Sequence, residues 1–410
     1  MRICLLTTST TVHRMGGTEV QAETLAKEAA KLGHSVFILT SAHPAGPQRE
    51  NNGTYTAVYI PDTHFSMSRP WVKRWEQELP KAAAALREKE KIDVFWAENF
   101  SGLPYAAIPA GKRAPLISIA NGLAFRGEIA SAFNGVSGIG GLFHFFTRYA
   151  GQALFYHLPR FRALARDSDL IAAVSRETEA ALNTEFPASK GKTFVVYNPV
   201  DCALFKADAS LRAQARAELG FAASDLVILM AGVLHRQKGI HLGLKAFSAI
   251  AEKFPSTRLL IAGDGPQRAE LEKAAATLRR RVIFCGTKGN AEMPACYNAA
   301  DIYLNPTLRG EGLGLVNIEA MACGLPCVIS KAGGTGSTID EGLSGYFTAP
   351  GNVPETEARL SALLSDGKLR LEMGTAGRKK ALKVFEISTV VKRYVSASLE
   401  LLAKRAQRLP

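Results

Sequence analysis

Short apolar runs alternate with helical stretches, and the alternation begins again halfway along the chain. This pattern constrains the fold more than any other feature. Ile3–Thr7 and Ser35–Thr40 flank a helical stretch, Glu19–Leu32. That stretch carries apolar or small residues at Val20, Ala22, Leu25, Ala26 and Ala29, and Gly33 stops it. Ile92–Ala97, Leu116–Ala120 and Leu170–Val174 follow as further runs. After Val200 the pattern restarts with Leu226–Leu234, Arg258–Ala262, Val282–Phe284, Asp301–Leu304 and Pro326–Ser330. A helix at His241–Phe254 ends before Pro255. Apolar strands separated by helices imply mostly parallel sheets covered on both faces. Asn198-Pro199 marks a turn, which sets a linker near 198–205. The expected architecture is α/β: two doubly wound domains, 1–200 and 201–385, and a basic terminal helix over 386–410. No internal repeat is evident.

Composition narrows the class. The chain has 410 residues, 47% apolar and 21% charged, which suits two or three folded domains and excludes a disordered chain. The net charge of +13 divides as +5 over 1–200 and +8 over the rest. There is no basic tail, so no nucleic-acid partner is expected, although the field favours anionic partners such as nucleotides. No run reaches 18 apolar residues, and MRICLLTTST reads as a first strand and not a signal peptide. Six Cys at irregular spacing suggest neither a disulfide framework nor zinc; reduced thiols in a cytoplasm are expected. Cys323 and Cys327 flank a helix-to-strand turn.

The segment 129–166 stands apart. It holds Arg148, Arg160, Arg162 and Arg166, many Phe and Tyr, and no acidic residue. Two readings stay open. In one, the segment makes a peripheral contact with an anionic membrane or an amphiphile. In the other, the aromatics are core and the arginines a solvated face.

The strongest chemical signal is Glu311-Gly-Leu-Gly-Leu-Val-Asn-Ile-Glu319, after a strand and the loop NPTLRG. Its glycines open a helix near Gly314, where unpaired backbone N–H groups and the helix dipole suit a pyrophosphate. Upstream, Ala231-Gly-Val-Leu-His-Arg-Gln-Lys-Gly239 places Arg236 and Lys238 on a strand-to-helix loop, where they can hold phosphate. Ile261-Ala-Gly-Asp-Gly-Pro266 begins like a dinucleotide fingerprint at Gly263 and Gly265. Arg268 holds the last glycine position and Pro266 intrudes, which argues against a nicotinamide oxidoreductase. Met15-Gly16-Gly17-Thr18-Glu19 opens the first helix, at the strand end where open α/β sheets bind ligands. His13, in the same loop, reads as a surface residue.

Together, GGTE, Val174-Ser175, VVYNPVD, the Lys238-Gly239 loop, AGDGP and Glu311-x7-Glu319 resemble glycosyltransferase family 4, the retaining nucleotide-sugar transferases of GT-B fold. The resemblance covers nearly the whole chain and is most specific over 226–350. It implies two Rossmann-like domains facing a central cleft, with the donor mainly on the C-terminal one, the acceptor mainly on the N-terminal one, and the last helix crossing back to the first domain. It also implies no metal and no cofactor beyond the nucleoside diphosphate sugar. Asp167-Ser-Asp169 matches a metal-binding spacing but precedes its strand, so it reads as a solvated turn.

Residue by residue, the resemblance puts Glu311 near the donor sugar and Glu319 on the ribose. Gly312, Leu313, Gly314 and Leu315 would supply backbone donors. Lys238 would neutralise the leaving pyrophosphate. Gly16 and Gly17 would close the phosphate side, with Gly232 and Gly263 at the donor loops and Thr287 and Lys288 near the base. Three positions depart from the family pattern. Val233 stands where Arg is usual, so Arg236 is the substitute. Asn121 stands where His is usual, and Ser337 where the loop after Gly-Gly often has Glu. The expected function is retaining transfer to a saccharide or lipid-linked acceptor, as in cell-envelope polysaccharide or lipopolysaccharide assembly. A sugar-nucleotide epimerase, a phosphorylase or a non-catalytic sugar-nucleotide binder are the alternatives.

Overall fold

The computed structural model describes residues 1–14, 16–66, 68–133, 140, 142–143 and 145–407, with the backbone alone at 148 and 279. The chain forms two compact units. Unit 1 comprises Met1–Arg126, Arg148–Asn198 and Ile387–Pro410; unit 2 comprises Gly127–Thr147 and Pro199–Glu386.

Unit 1 is built on eight strands: β1 (Arg2–Leu6), β2 (Ser35–Ser41), β3 (Arg49–Asn51), β4 (Thr56–Ile60), β5 (Val94–Glu98), β6 (Leu116–Ala120), β7 (Leu170–Ala173) and β8 (Thr193–Val195). Their order is β3-β4-β2-β1-β5-β6-β7-β8, parallel except for the β3–β4 pair. Leu5 of central β1 pairs with Ile38 on one side and Trp96 on the other. Side chains alternate across the sheet. Ile3 and Leu5 join Leu25, Trp96, Val390 and Tyr394 on one face, while Cys4 and Leu6 join Trp75, Leu79 and Tyr105 on the other. Both faces are therefore covered, and each fully buried Leu, Ile or Val stabilises by roughly 1.5–3 kcal/mol.

The terminal helix, Ile387–Ala406, packs on this first sheet; Trp96 Nε1 donates to Ser398 Oγ at 3.0 Å, across 302 residues of sequence. The terminal residues 408–410 of the expected helix lie outside the described residues. β3, β4 and β8 lie outside the expected strands: β3 (Arg-Glu-Asn) is wholly exposed and β8 is a half-exposed edge, whereas β4 (Thr-Ala-Val-Tyr-Ile) is a short apolar run that the expectation passes over. The Asp167-Ser-Asp169 turn needs a correction. Asp169 accepts from the buried Arg113 guanidinium and from Leu116 N–H, so it is an ion-paired strut and not a solvated turn.

Unit 2 is built on six parallel strands: β9 (Leu226–Ala231), β10 (Thr257–Ala262), β11 (Val282–Gly286), β12 (Ile302–Asn305), β13 (Cys327–Ser330) and β14 (Gly345–Thr348), in the order β11-β10-β9-β12-β13-β14. The apolar run read as Leu226–Leu234 stops as a strand at Ala231, because Gly232 turns the chain. Leu234 is nonetheless in the core, with Ile228, Met230 and Phe247.

The 129–166 segment contains both kinds of aromatic. Phe161 is buried, edge-on to Phe100 and stacked with Phe186, and Phe145 is also buried. Phe155 is 85% exposed, Phe143 71% and Phe146 62%. Within this segment, 134–139, 141 and 144 lie outside the described residues, as does Met15 of the first loop. All six cysteines are free thiols.

Candidate functional site

In unit 2 the expected donor residues gather at the C-terminal ends of β9 to β12. Gly232 N–H donates to Ala262 O and Gly263 N–H to Gly286 O, so the three strand ends are stitched together. At Gly263, φ is +139° and a Cβ would lie 1.9 Å from Gly232 O, so no side chain fits there. Arg236–Lys238 form a single 3₁₀ turn, closed by Gly239. Gln237 O accepts from Leu308 and Arg309 N–H, tying this turn to the loop after β12. That tie brings Lys238 Nζ to 2.5 Å from Glu311 Oε1, with the Glu311 side chain only 9% exposed.

Glu311 is itself fixed by its backbone, which pairs with Ala332 O and Gly334 N–H. Gly314 caps the helix Leu315–Ala322 at φ +91°, and a Cβ there would strike Glu311 Oε2 at 2.7 Å and Asn317 Nδ2 at 2.6 Å. The first-turn N–H groups of this helix and the ammonium of Lys238 together make an electropositive corner. Glu319 sits one turn further on and accepts from Tyr297 Oη at 2.7 Å. Burial pushes its carboxyl up to about 6, against the lowering effect of that hydrogen bond. Gly312 is partly exposed and Leu313 is buried. Arg236 and Thr287 are exposed, and Lys288 faces Glu292 at 3.9 Å.

Gly16, Gly17 and Asn121 belong to unit 1. Gly16 precedes the helix Gly17–Lys31 and leaves room for Glu19, whose Oε2 would lie 2.5 Å from a Cβ. Glu19 accepts from Ser9 Oγ at 2.5 Å and from Arg14 Nε at 2.7 Å. Burial opposes its ionisation, but these two hydrogen bonds prevail and hold its carboxyl below the ordinary value. His13 is not the surface residue it seemed. Its Nδ1 accepts from Thr10 N–H, its Nε2 lies 3.1 Å from Ala42 O, and burial lowers its pKa. Asn121 Nδ2 donates to Glu98 Oε2, and its Oδ1 accepts from Gln21 Nε2 at 3.0 Å.

Sequence reasoning missed Glu98. The available signal was a carboxylate closing a fully buried strand, Val-Phe-Trp-Ala-Glu. Burial pushes the Glu98 carboxyl up to about 8; the Asn121 hydrogen bond lowers it and nearby Glu19 raises it. Also missed were Tyr297 and the Asn305–Asn317 side-chain hydrogen bond of 2.8 Å, which anchors the helix Leu315–Ala322 to β12. Among the described residues, no three His, Cys, Asp or Glu side chains gather as a metal site would need. No helix among them is long and apolar enough to cross a membrane.

Two mostly parallel α/β sheets, each covered by helices, give the GT-B fold of the glycosyltransferase structures it superposes on. The chain belongs to glycosyltransferase family 4. The family model "Glycosyltransferase Family 4" matches residues 15–204, and "Glycosyl transferases group 1" matches 212–380. Among curated relatives, a GDP-mannose-dependent alpha-(1-6)-phosphatidylinositol monomannoside mannosyltransferase of Mycolicibacterium smegmatis is 31% identical over 229 residues, 54% of this chain and 59% of that protein. Among solved structures, the sucrose-phosphate synthase of Thermosynechococcus elongatus superposes with a TM-score of 0.78 at 21% identity, covering 98% of this chain and 99% of that one. Anabaena HepE in complex with UDP superposes with a TM-score of 0.73 at 21% identity, covering 97% and 99%.

Proposed function

We propose that the chain is a retaining glycosyltransferase that moves a hexosyl group from a nucleoside diphosphate sugar to an acceptor hydroxyl. The observation that carries this reading is the Lys238–Glu311 pair beside the capped helix Leu315–Ala322. In the reaction, the bond between the anomeric carbon and the phosphate oxygen lengthens to an oxocarbenium-like state. The acceptor hydroxyl enters from the same face, and its proton passes to the departing phosphate. Negative charge then grows on the leaving diphosphate. Lys238 and the first-turn N–H groups stand ready to stabilise it without reorganising, which is usually the largest single catalytic contribution. Glu311 orients Lys238 and offers its carboxylate to the sugar hydroxyls, and Glu319 offers its carboxylate to the ribose. Arg236 adds a second cation on the same turn. Thr287 and Lys288 face the base, and no metal takes part.

The names of two similar proteins, one GDP-mannose-dependent and one solved with UDP, support a nucleoside diphosphate donor of either base. A thermal-shift screen against UDP, GDP and their sugars tests the reading, because a ligand of the native state raises Tm by an amount that grows with the ratio of its concentration to its Kd. A shift with one UDP- or GDP-sugar, followed by transfer to an acceptor, is the expected result. Turnover of donor without acceptor would indicate an epimerase, and dependence on inorganic phosphate a phosphorylase.

We also propose a peripheral contact with the inner face of a membrane. It would be made by exposed Leu154 and Phe155 of unit 1, in the acid-free stretch 129–166, as suits enzymes of envelope polysaccharide assembly with lipid-linked acceptors. Sedimentation with anionic vesicles at low salt should carry the protein down, and Phe155→Ser should weaken it. No sedimentation at low salt, where screening is least, would end this part of the reading.

A further inference from the structure

Five of the six cysteines are buried, and burial pushes up the thiols of Cys4, Cys202, Cys323 and Cys327. Cys285 is the exception: it is partly exposed, near the C-terminal end of β11. Its place in the sheet is irregular. Ile261 of β10 pairs with Phe284, but the next residue, Ala262, pairs with Gly286. Cys285 is therefore the extra residue of a β-bulge, a device that re-aims a side chain. The Cys285 Sγ lies 3.9 Å from that of Cys296, on the helix Met293–Ala299.

Sulfurs at this distance are not bonded, since a disulfide needs about 2.05 Å. They make a thiol–thiol contact in which one S–H donates to the other sulfur. The hydrogen bond from Cys296 is the chief cause that lowers the Cys285 pKa to about 7; burial opposes it, and Lys288 and Arg268 assist. The same bond pushes the Cys296 thiol up, and burial adds to this. In its neutral form, Cys285 S–H has Ile261 O as an acceptor at 3.5 Å.

The pair thus has two unlike members. Cys285 is partly exposed, with cations on its side; Cys296 is 3% exposed and keeps its proton. Reactive cysteines occupy electropositive, partly exposed surroundings, and the second thiol of such a pair needs only to reach the first.

We propose that Cys285 and Cys296 form a redox-active dithiol, in which Cys285 takes oxygen from a peroxide and Cys296 then closes a reversible disulfide. In the first step the Cys285 thiolate attacks one peroxide oxygen. An S–O bond forms, the O–O bond breaks and hydroxide leaves, so Cys285 becomes a sulfenic acid. In the second step Cys296 gives up its proton and attacks the Cys285 sulfur. The S–S bond forms, the S–O bond breaks and a second hydroxide leaves. The protons lost by the two thiols convert both hydroxides to water. The sulfur pair gives up two electrons, and the peroxide takes them.

Closing the sulfurs from 3.9 Å to a bond draws together the two ends of the loop 287–292. That loop carries Thr287 and Lys288, so oxidation should weaken nucleotide binding. Only this consequence rests on the transferase reading.

Hydrogen peroxide on the reduced full chain, followed by alkylation and peptide mass spectrometry, tests the proposal. The expected result is one cross-linked pair, Cys285 with Cys296, reversed by dithiothreitol, with the other four thiols still free. Before oxidation, iodoacetamide at neutral pH should alkylate Cys285 about tenfold faster than the other five, in keeping with its larger thiolate fraction. Cys296→Ser should stop at a Cys285 sulfenic acid that dimedone traps. Cys285→Ser should leave Cys296 unoxidised at the same dose. Calorimetry should show UDP or GDP binding the cross-linked chain about fivefold more weakly than the reduced one, and dithiothreitol should restore the affinity.

The proposal is overturned if no Cys285–Cys296 cross-link forms in the wild-type chain, or if the other four thiols oxidise as fast. Cross-linking with unchanged nucleotide affinity overturns the effect on binding. A reduced chain that binds neither UDP nor GDP removes the transferase reading, and the cross-link then decides the dithiol on its own.

Discussion

Lys238 and Glu311 stand 73 residues apart in sequence and meet at 2.5 Å at the head of the helix Leu315–Ala322. The contact depends on Gln237, whose carbonyl holds Leu308 and Arg309 and so docks the loop after β12 on the 3₁₀ turn. It makes Lys238 a preorganised cation and not a freely rotating one.

Replacing Lys238 should therefore cost turnover more than folding. We expect Lys238→Ala to lower kcat about 10²–10³-fold, the usual effect of removing one charge-stabilising donor. Steady-state kinetics at saturating donor would check this, and an unchanged kcat would reject the role of Lys238 on the leaving group.

Gly314→Ala tests the same corner through the backbone. A Cβ there would collide with both Glu311 and Asn317, and the left-handed φ of +91° adds roughly 1–2 kcal/mol for any other residue. Both Tm and turnover should fall. If turnover held while Tm fell, the position of Glu311 would not matter to the chemistry.

Glu98 predicts a pH dependence of stability. Its carboxyl is held at about 8 in the folded chain, against an ordinary value of 4.5, chiefly by burial. A raised carboxyl favours the folded state fully below 4.5, and that advantage is lost as pH rises through about 8. Glu98→Gln carries no such loss, so its Tm should exceed that of wild type at pH 9 and converge with it near pH 5. Parallel melting curves across this range would reject the assignment of a neutral Glu98 if they kept a constant gap.

The terminal helix should be indispensable to unit 1. Tyr394 is buried, 5.2 Å from the Trp96 ring centroid, and Ser398 holds the Trp96 N–H. Tyr394→Ala should cost about 3–5 kcal/mol, as truncating a buried aromatic does. Ser398→Ala should cost about 1–3 kcal/mol by orphaning the indole N–H. Urea unfolding measures both; values near zero would mean that the helix rests loosely on the sheet.

A chelator should leave turnover unchanged, since the charge on the leaving diphosphate is assigned to Lys238 and backbone N–H groups. Loss of activity in EDTA, restored by magnesium, would contradict the metal-free reading.

Local pattern carried much of this protein. Fully buried parallel strands must be continuous apolar runs, so β1, β2, β5, β9 and β10 could be read from the chain one residue after another. The helix Leu315–Ala322 was legible for a similar reason: Gly314 and the carboxylates Glu311 and Glu319 lie within a single loop and helix. Polar edges such as β3 left no such trace, because a strand with no buried face needs no apolar residue. The pairings of Glu98 with Asn121, Tyr297 with Glu319, Arg113 with Asp169 and Trp96 with Ser398 were decided by strand order and helix docking. Each joins residues 22 to 302 positions apart, through hydrogen bonds that exist only once the sheets have assembled. The protonation of Glu98 follows from the same cause: burial in an assembled fold raises a carboxyl, and linear order alone does not specify burial.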